Sequence, residues 1–269
     1  MTLSRRDISL LLADNGLAPR RAFGQNFVAD PNTVRRIARL AGVGPGDRVV
    51  EIGAGLGSLT LALAETGASV TAVEVDRGLV PVLRTIVEPA GVRVIEGDAL
   101  TLDWGAVLGE GSWTHVANLP YNVATPLVVE LLERVPAIER MLVMVQAEVG
   151  ERWASAAGTE AYGAVSVLVA YWATARVVGK VPASVFVPRP RVESVLVAID
   201  RLAVPPTDVA YPRLKEVVRA GFGQRRKMLR RSLAGTVAPE AFEAAGVDPA
   251  ARAEELDIAA FGRLAGWSG

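Results

Sequence analysis

The amino-acid sequence predicts an α/β fold: a doubly wound parallel sheet with helices on both faces, followed by a small all-helical domain. Three observations carry this. Between residues 48 and 145, short β-rich runs alternate with helical periodicity, the pattern of a parallel sheet. A glycine-rich turn, Gly53-Ala54-Gly55-Leu56-Gly57, joins the first of these runs to the helix after it. Further on, Val204-Pro205-Pro206-Thr207-Asp208 reads as a linker and is followed only by helical signals. The boundary therefore falls after residue 203, giving domains over 1–203 and 204–269.

In chain order, residues 4–14 read as a short helix and Gly24-Gln25-Asn26-Phe27 as a loop. Asp30 suits an N-cap and Pro31 the first position of the next helix. Strands are predicted over 49–52, 70–75, 92–96, 115–117 and 140–145, with helices over 59–65, 77–87 and 125–134. The β-rich runs 177–181 and 194–199, joined through a proline-rich loop, are expected to form an antiparallel hairpin at the sheet edge. Helices over 212–220, 225–233, 239–244 and 254–264 complete the chain.

Composition narrows the chemistry. The chain has 269 residues, 51% of them hydrophobic, enough for a sizeable core. It has no cysteine and a single histidine, His115. Disulfides and cysteine nucleophiles are excluded, and neither a histidine-based triad nor a metal site is expected. His115 reads as a strand residue. No window approaches the roughly 18 consecutive apolar residues of a membrane span. The apolar stretch after Arg5 and Arg6 is short and broken by Asp7 and Asp14, so it is not read as a signal peptide. The expectation is a cytoplasmic protein without a membrane partner. Net charge is zero, but the charges are segregated: residues 213–231 carry eight basic side chains against one acidic, Glu216. Segregated charge is what an electrostatic footprint for a polyanion requires.

The glycine turn has the spacing G-x-G-x-G, which differs from the dinucleotide fingerprint G-x-G-x-x-G. Glu51, two residues before Gly53, suits a ligand with a cationic amino group better than a pyrophosphate. Glu74 lies 21 residues after Gly53 at the next strand end, where a carboxylate can accept both hydroxyls of a ribose. Asp98 ends the third strand and can accept from an adenine amine. Three acidic strand ends along one sheet edge match the place where open α/β sheets bind ligands.

The sharpest motif is Asn118-Leu119-Pro120-Tyr121, of the form N-x-P-Y, after the fourth strand. An amine conjugated to an aromatic ring is a poor nucleophile. The Asn118 side-chain oxygen and the Leu119 carbonyl can together draw such a nitrogen toward tetrahedral geometry. Pro120 fixes the backbone and brings no competing N–H. Tyr121 offers a face for a base to stack on. Phe186, in Val185-Phe186-Val187-Pro188-Arg189-Pro190, reads two ways: a second aromatic wall for a flipped base, or a core residue on the hairpin.

With these residues assembled, the chain resembles the ribosomal RNA small-subunit adenine dimethyltransferase family over nearly its whole length. The matching segments are Phe23-Gly24-Gln25-Asn26-Phe27, the run from Glu51 to Gly57, Glu74, Asp98 and the Asn118 tetrad. They continue with Val145-Gln146-Ala147-Glu148-Val149, Ala161-Tyr162-Gly163, the Phe186 run ending Val192-Glu193-Ser194, and Arg225-Arg226-Lys227-Met228-Leu229. The resemblance implies a Rossmann-like class I methyltransferase sheet using S-adenosylmethionine. It implies cofactor contacts from Asn26, the backbone at Val28, Gly53, Glu74, Asp98 and Asn118, to which the glycine turn adds Gly55. It implies two methyl transfers to each of two adjacent adenines near the 3′ end of 16S rRNA, in the small ribosomal subunit or its assembly intermediate. The protein is expected to act as a monomer.

Two features depart from the family: Ala147 stands where relatives usually carry lysine, and relatives tend to be basic. Large-subunit rRNA methyltransferases that confer antibiotic resistance share the N-x-P-Y core, usually with isoleucine at the position of Leu119. The segment Arg225-Arg226-Lys227 looks like the small-subunit branch. On a continuous helix, Arg226, Lys227, Arg230 and Arg231 fall on one arc of about 140°, opposite Met228, Leu229 and Leu233, and are the expected RNA contacts. The competing readings are a protein glutamine methyltransferase, which uses an Asn-Pro-Tyr type motif, and a non-catalytic RNA-binding assembly factor.

Overall fold

The computed structural model describes residues 2–20, 23–224 and 226–268. In chain order the elements are α1 (Arg5–Asp14), β1 (Phe27–Val28), α2 (Pro31–Ala41), β2 (Arg48–Ile52), α3 (Ser58–Ala64), β3 (Ser69–Glu74), α4 (Val80–Val87), β4 (Arg93–Glu96), α5 (Trp104–Leu108), β5 (Trp113–Asn118) and α6 (Ala124–Arg134). There follow β6 (Ile138–Gln146), α7 (Ala147–Trp153), α8 (Ala164–Trp172), β7 (Ala173–Val181), β8 (Phe186–Val187), β9 (Ser194–Arg201), α9 (Tyr211–Gly223), α10 (Leu229–Ser232), α11 (Glu240–Ala245) and α12 (Ile258–Gly266). They divide between two compact units, Met1–Gly150 with Val177–Asp200, and Glu151–Arg176 with Arg201–Gly269.

The seven-stranded sheet has the order β4-β3-β2-β5-β6-β9-β7 and carries helices on both sides. The pairs from β4 to β6 are parallel, and β9 runs antiparallel to β6 from Arg140↔Asp200 to Gln146↔Ser194. The two late β runs are neighbours at the edge as expected, with β9 inserted against β6 and β7 outermost. Strands β3, β5 and β6 carry buried residues in unbroken runs, as parallel strands covered on both faces must. Helix α2 begins where expected: the Asp30 carboxylate accepts the N–H groups of Asn32 and Thr33, Pro31 occupies the first turn, and Gly42 ends the helix at φ 61°. Its buried stripe, Val34, Ile37, Ala38 and Ala41, packs into the core with Leu59 and Leu63 of α3.

The second unit has its own core, in which Val167 and Leu168 of α8 pack with Leu214 and Val217 of α9 and Phe261 and Leu264 of α12. The Tyr162 hydroxyl donates to the Leu256 carbonyl at 2.8 Å, and the Tyr171 hydroxyl to the Val209 carbonyl at 2.9 Å. A single boundary after residue 203 therefore differs from what is observed. Residues 151–176 join the helical unit as well, because the apolar side of α8 is buried there.

The expected helix over 225–233 is also corrected. Arg225 lies outside the described residues. The Lys227 N–H donates to the Gln224 carbonyl in a turn, and Met228 is extended at ψ 148°. The Leu229 and Arg230 amides donate to the carbonyls of Ala251 and Pro249, so the helix starts only at Leu229 and is four residues long. Arg226 and Lys227 therefore precede α10, while Arg230 and Arg231 lie on it, and the single helical arc does not form. All four side chains are exposed. Leu229 and Leu233 are fully buried as expected, whereas Met228 is 40% exposed.

Candidate active site

After β2 the chain passes outward through β3 to β4, then returns to place β5 on the other side of β2. The turns leaving β2 and β5 consequently diverge, opening a crevice at their carboxyl ends. The glycine turn fills its rim with Gly53, Gly55 and Gly57 at φ 78°, 60° and 87°. At Gly57 an added Cβ would lie 2.6 Å from Val87, and at Gly55 3.1 Å from the Phe27 ring. Glycine at these positions satisfies both the left-handed backbone and the close approach of α4 and β1.

Two adjoining clefts occupy the crevice. The first holds about 720 Å³ of empty space and is lined by Asn26, Phe27, Glu51, Gly55, Glu74 and Asn118 among others. The second holds about 700 Å³ and is largely apolar, with Val75, Leu100, Val123 and Leu127 around one carboxylate, Asp98. Phe23, Gly53, Val75 and Pro120 line both. Val75 and Leu100 are large apolar side chains left 42% and 39% exposed. The pair of clefts fits a ligand with a charged end and a flat, mostly apolar end carrying a donor.

The carboxylates are held in different ways. One oxygen of Glu74 accepts the backbone N–H groups of Val75 and Asp76 at 3.0 and 2.9 Å, and the other accepts that of Gly55 at 2.7 Å. Burial pushes its pKa up, and these three amides oppose that rise. The oxygen facing Gly55 retains capacity for a ligand hydroxyl. Glu51 is buried with one side-chain partner, the Thr60 hydroxyl, which donates at 2.5 Å. Burial pushes its pKa to about 8, against the Thr60 hydrogen bond and with help from the charge of Glu74. Asp98 is exposed at the rim, where it accepts the Leu100 N–H at 3.0 Å. Ser58 belongs to no sequence motif. Its hydroxyl is buried against the first cleft and has no hydrogen-bond partner among the described residues.

Asn118 ends β5 opposite Met144. Its Nδ2 donates to the backbone carbonyl of Asn26 at 2.9 Å. A carbonyl only accepts, so this contact fixes the amide's orientation and leaves Oδ1 as the free acceptor end. The Leu119 N–H donates to the Met144 carbonyl at 3.0 Å, and the Pro120 carbonyl accepts the amides of Val123 and Ala124 at the start of α6. The tetrad is thus tied to the sheet on one side and to a helix on the other. Tyr121 is partly buried, with its hydroxyl 3.0 Å from the buried Ser194 hydroxyl. Burial raises the phenol pKa further, so Tyr121 presents its ring rather than a charge.

Phe186 takes the second of its two readings. It is fully buried in the sheet core with Val28 and Leu196, because β8 pairs with β1 through Val28↔Phe186 and turns the ring inward. The aromatic side chains lining the first cleft are Phe23, Phe27 and Tyr121, and Phe23 also lines the second. Asn26, Val28, Gly53, Gly55, Glu74, Asn118, Leu119, Pro120 and Tyr121 line the first cleft, with Asp98 in the second. Arg226, Lys227, Arg230 and Arg231 belong to the other unit.

The strand order, the glycine turn and the polar strand ends at one edge define a class I methyltransferase that uses S-adenosylmethionine. A family model described as "Ribosomal RNA adenine dimethylase" matches residues 16–268. The "Ribosomal RNA small subunit methyltransferase A" of Leifsonia xyli subsp. xyli is 48% identical over 272 residues, covering 97% of this chain and 95% of its own. The protein of the same name from Magnetococcus marinus is 46% identical over 267 residues, covering 96% and 95%. Among solved structures, the 23S rRNA methyltransferase ErmE matches with a TM-score of 0.69 and 27% identity, covering 89% of this chain and 98% of its own. The chain belongs to the ribosomal RNA adenine dimethylase family and is an S-adenosylmethionine-dependent methyltransferase acting on ribosomal RNA.

Proposed function

We propose that the protein methylates the exocyclic amines of two adjacent adenosines near the 3′ end of 16S rRNA to N6,N6-dimethyladenosine. It does so during small-subunit biogenesis, as a cytoplasmic monomer. The observation that carries the chemistry is the Asn118 amide, held by the Asn26 carbonyl with its oxygen left as acceptor. The identities of 48% and 46% to small-subunit enzymes, against 27% to a 23S enzyme, support the 16S target. Among the described residues, no helix is long and apolar enough to cross a membrane.

The clefts suit the cofactor on independent grounds. A partnerless buried hydroxyl at Ser58 and a buried carboxyl at Glu51 face the polar end, and exposed Val75 and Leu100 beside Asp98 offer a slot for a purine. Glu74 accepts the ribose hydroxyls, Asp98 the adenine amine, and Asn26, Val28, Gly53, Gly55 and Asn118 complete the contacts. Bound there, the cofactor supplies an electrophilic methyl group on a sulfonium. Asn118 Oδ1 and the Leu119 carbonyl accept the two N–H groups of the target amine in the first transfer, and one of them accepts the single remaining N–H in the second, which makes the lone pair available. Tyr121 stacks on the base, and Pro120 holds the carbonyl in place. No base is needed in advance, because the proton leaves after transfer; the protein's contribution is positioning. Arg226, Lys227, Arg230 and Arg231 contact RNA phosphates.

Mass spectrometry of rRNA from cells with and without the gene tests this reading. Two adjacent dimethyladenosines in 16S rRNA should depend on the gene, with 23S rRNA unchanged. Gene-dependent methylation confined to 23S rRNA would overturn the 16S assignment.

A further inference from the structure

Asp76, two residues past β3, is 3% exposed, and the chemistry above does not use it. Its Oδ2 accepts from the Gln25 side-chain amide at 2.8 Å. Its Oδ1 accepts from the Arg20 guanidinium at 3.1 Å and the Gly78 N–H at 2.9 Å. The other end of the Gln25 amide, Oε1, accepts the backbone N–H of Arg20 at 2.8 Å. Both ends of one side chain are therefore committed. Residues 24–26 belong to no helix or strand; a long backbone bond, Gln25 N–H to the Arg20 carbonyl at 3.4 Å, is supplemented by the shorter bonds of the Gln25 side chain. This same stretch lines the first cleft, and Asn26 within it carries the carbonyl that orients Asn118.

We infer that Asp76 is a positioning residue: through Gln25 it holds residues 24–26 over the cofactor cleft and so fixes the Asn26 carbonyl that sets the Asn118 amide. Hydrogen bonds to a buried carboxylate are short and strong, and a buried carboxylate without them is costly. Both facts favour a single arrangement of the segment. The link to Asn118 rests on the amine-acceptor role proposed above. The link to the cofactor does not.

An exchange of the two partners tests it. Gln25→Glu sets a carboxylate against Asp76, and Asp76→Asn sets an amide NH₂ against that of Gln25. The double variant restores one donor and one acceptor, keeps an acceptor for the Arg20 N–H, and leaves an oxygen for Gly78. Each single variant should lose about tenfold or more in S-adenosylmethionine affinity and in kcat, within the range of coupled neighbours, while KM for the ribosomal substrate is unchanged. The double variant should return to within about threefold of the parent, as direct coupling of the two side chains requires; the loss of cofactor affinity and kcat at unchanged KM for RNA is what a merely structural role would not produce. Gln25→Ala, which adds no charge on this partly exposed loop, should lose affinity in the same direction. Parent-like affinity in Gln25→Glu or in Gln25→Ala, or a double variant no better than the worse single, would overturn the inference. Affinity is read without turnover, so the outcome stands apart from whether Asn118→Ala abolishes methylation.

Discussion

In the cleft, Glu51 and Glu74 are 2% and 5% exposed, and each has its hydrogen-bond partners in place. In the segment from 226 to 231, Arg226, Lys227, Arg230 and Arg231 all stand in solvent. There it is the backbone that is pinned, by the amides of Leu229 and Arg230 on the carbonyls of Ala251 and Pro249. The cleft is built around polar side-chain atoms that a ligand must meet at fixed distances. The basic segment holds a charge density in place while its side chains remain free to follow a polyanion. Disturbing the first should change chemistry and small-molecule affinity steeply. Disturbing the second should change affinity for RNA in a graded, salt-dependent way.

The largest expected effect is at Asn118. Asn118→Ala removes one preorganised acceptor and should lower turnover by roughly 10²–10³-fold at saturating cofactor and RNA, with RNA binding retained. Cofactor affinity is measured separately, because the same side chain lines the cofactor cleft. Near-normal turnover would remove Asn118 from the chemistry. Next comes Glu74→Ala, which should weaken S-adenosylmethionine binding by about 1.5–3 kcal/mol, the range for hydrogen bonds to a charged group. Calorimetry on the folded variant checks it, and unchanged affinity would leave Glu74 only the task of holding the Gly55, Val75 and Asp76 amides.

These two residues were legible in the sequence because their positions follow from local rules. A strand end, a glycine turn and a fixed separation along a parallel sheet place Glu74 and Asn118 at one edge before any distant contact is known. The position of Asp98 at the second cleft was legible for the same reason. Phe186 was not, because its direction depends on pairing with Val28, far away in sequence. The basic segment failed similarly. Its side-chain pattern suits a helix, but carbonyls of residues 249 and 251 capture the amides of Leu229 and Arg230, which a continuous helix would bond to carbonyls four residues back. Residues 151–176 joined the helical unit through burial of α8, a segment with no distinctive polar pattern. Asp76 and Ser58 carry no signal in the sequence, because a lone carboxylate or hydroxyl becomes informative only once its partners, or their absence, can be seen.

A smaller effect is expected from the basic segment. Reversing Arg226 and Arg230 to glutamate should weaken binding of the ribosomal substrate. It should also make the dependence of log affinity on log salt shallower by roughly one unit per lost phosphate contact. Cofactor affinity should stay at the parent value, since the cleft belongs to the other unit. Filter binding across a salt series measures both quantities. A double variant with the parent's affinity and slope would leave the segment a packing role through Leu229 and Leu233.

The smallest effect separates the two carboxylates of the cleft itself. Glu74 has three amides to stabilise its charge, whereas Glu51 has one hydroxyl, and burial lifts Glu51 to about 8. With the cleft empty, Glu51 is therefore protonated at neutral pH. A cationic amino group bound beside it favours the carboxylate, so binding should release a proton. Affinity should then rise between pH 6 and about 7.5, below the range in which an α-amino group itself titrates, by at most about tenfold per pH unit. The sign for stability is opposite. A carboxyl whose folded pKa is raised contributes stability that is fully present below its unfolded value near 4.5 and is lost as pH rises through about 8. The ligand-free protein should thus lose stability over that window while its affinity for the cofactor improves, and Glu51→Gln should flatten both trends. Calorimetry in two buffers of different ionisation enthalpy counts the protons released. Equal heats in the two buffers, with the same pH slope in Glu51→Gln as in the parent, would mean that Glu51 does not meet the cofactor's charge.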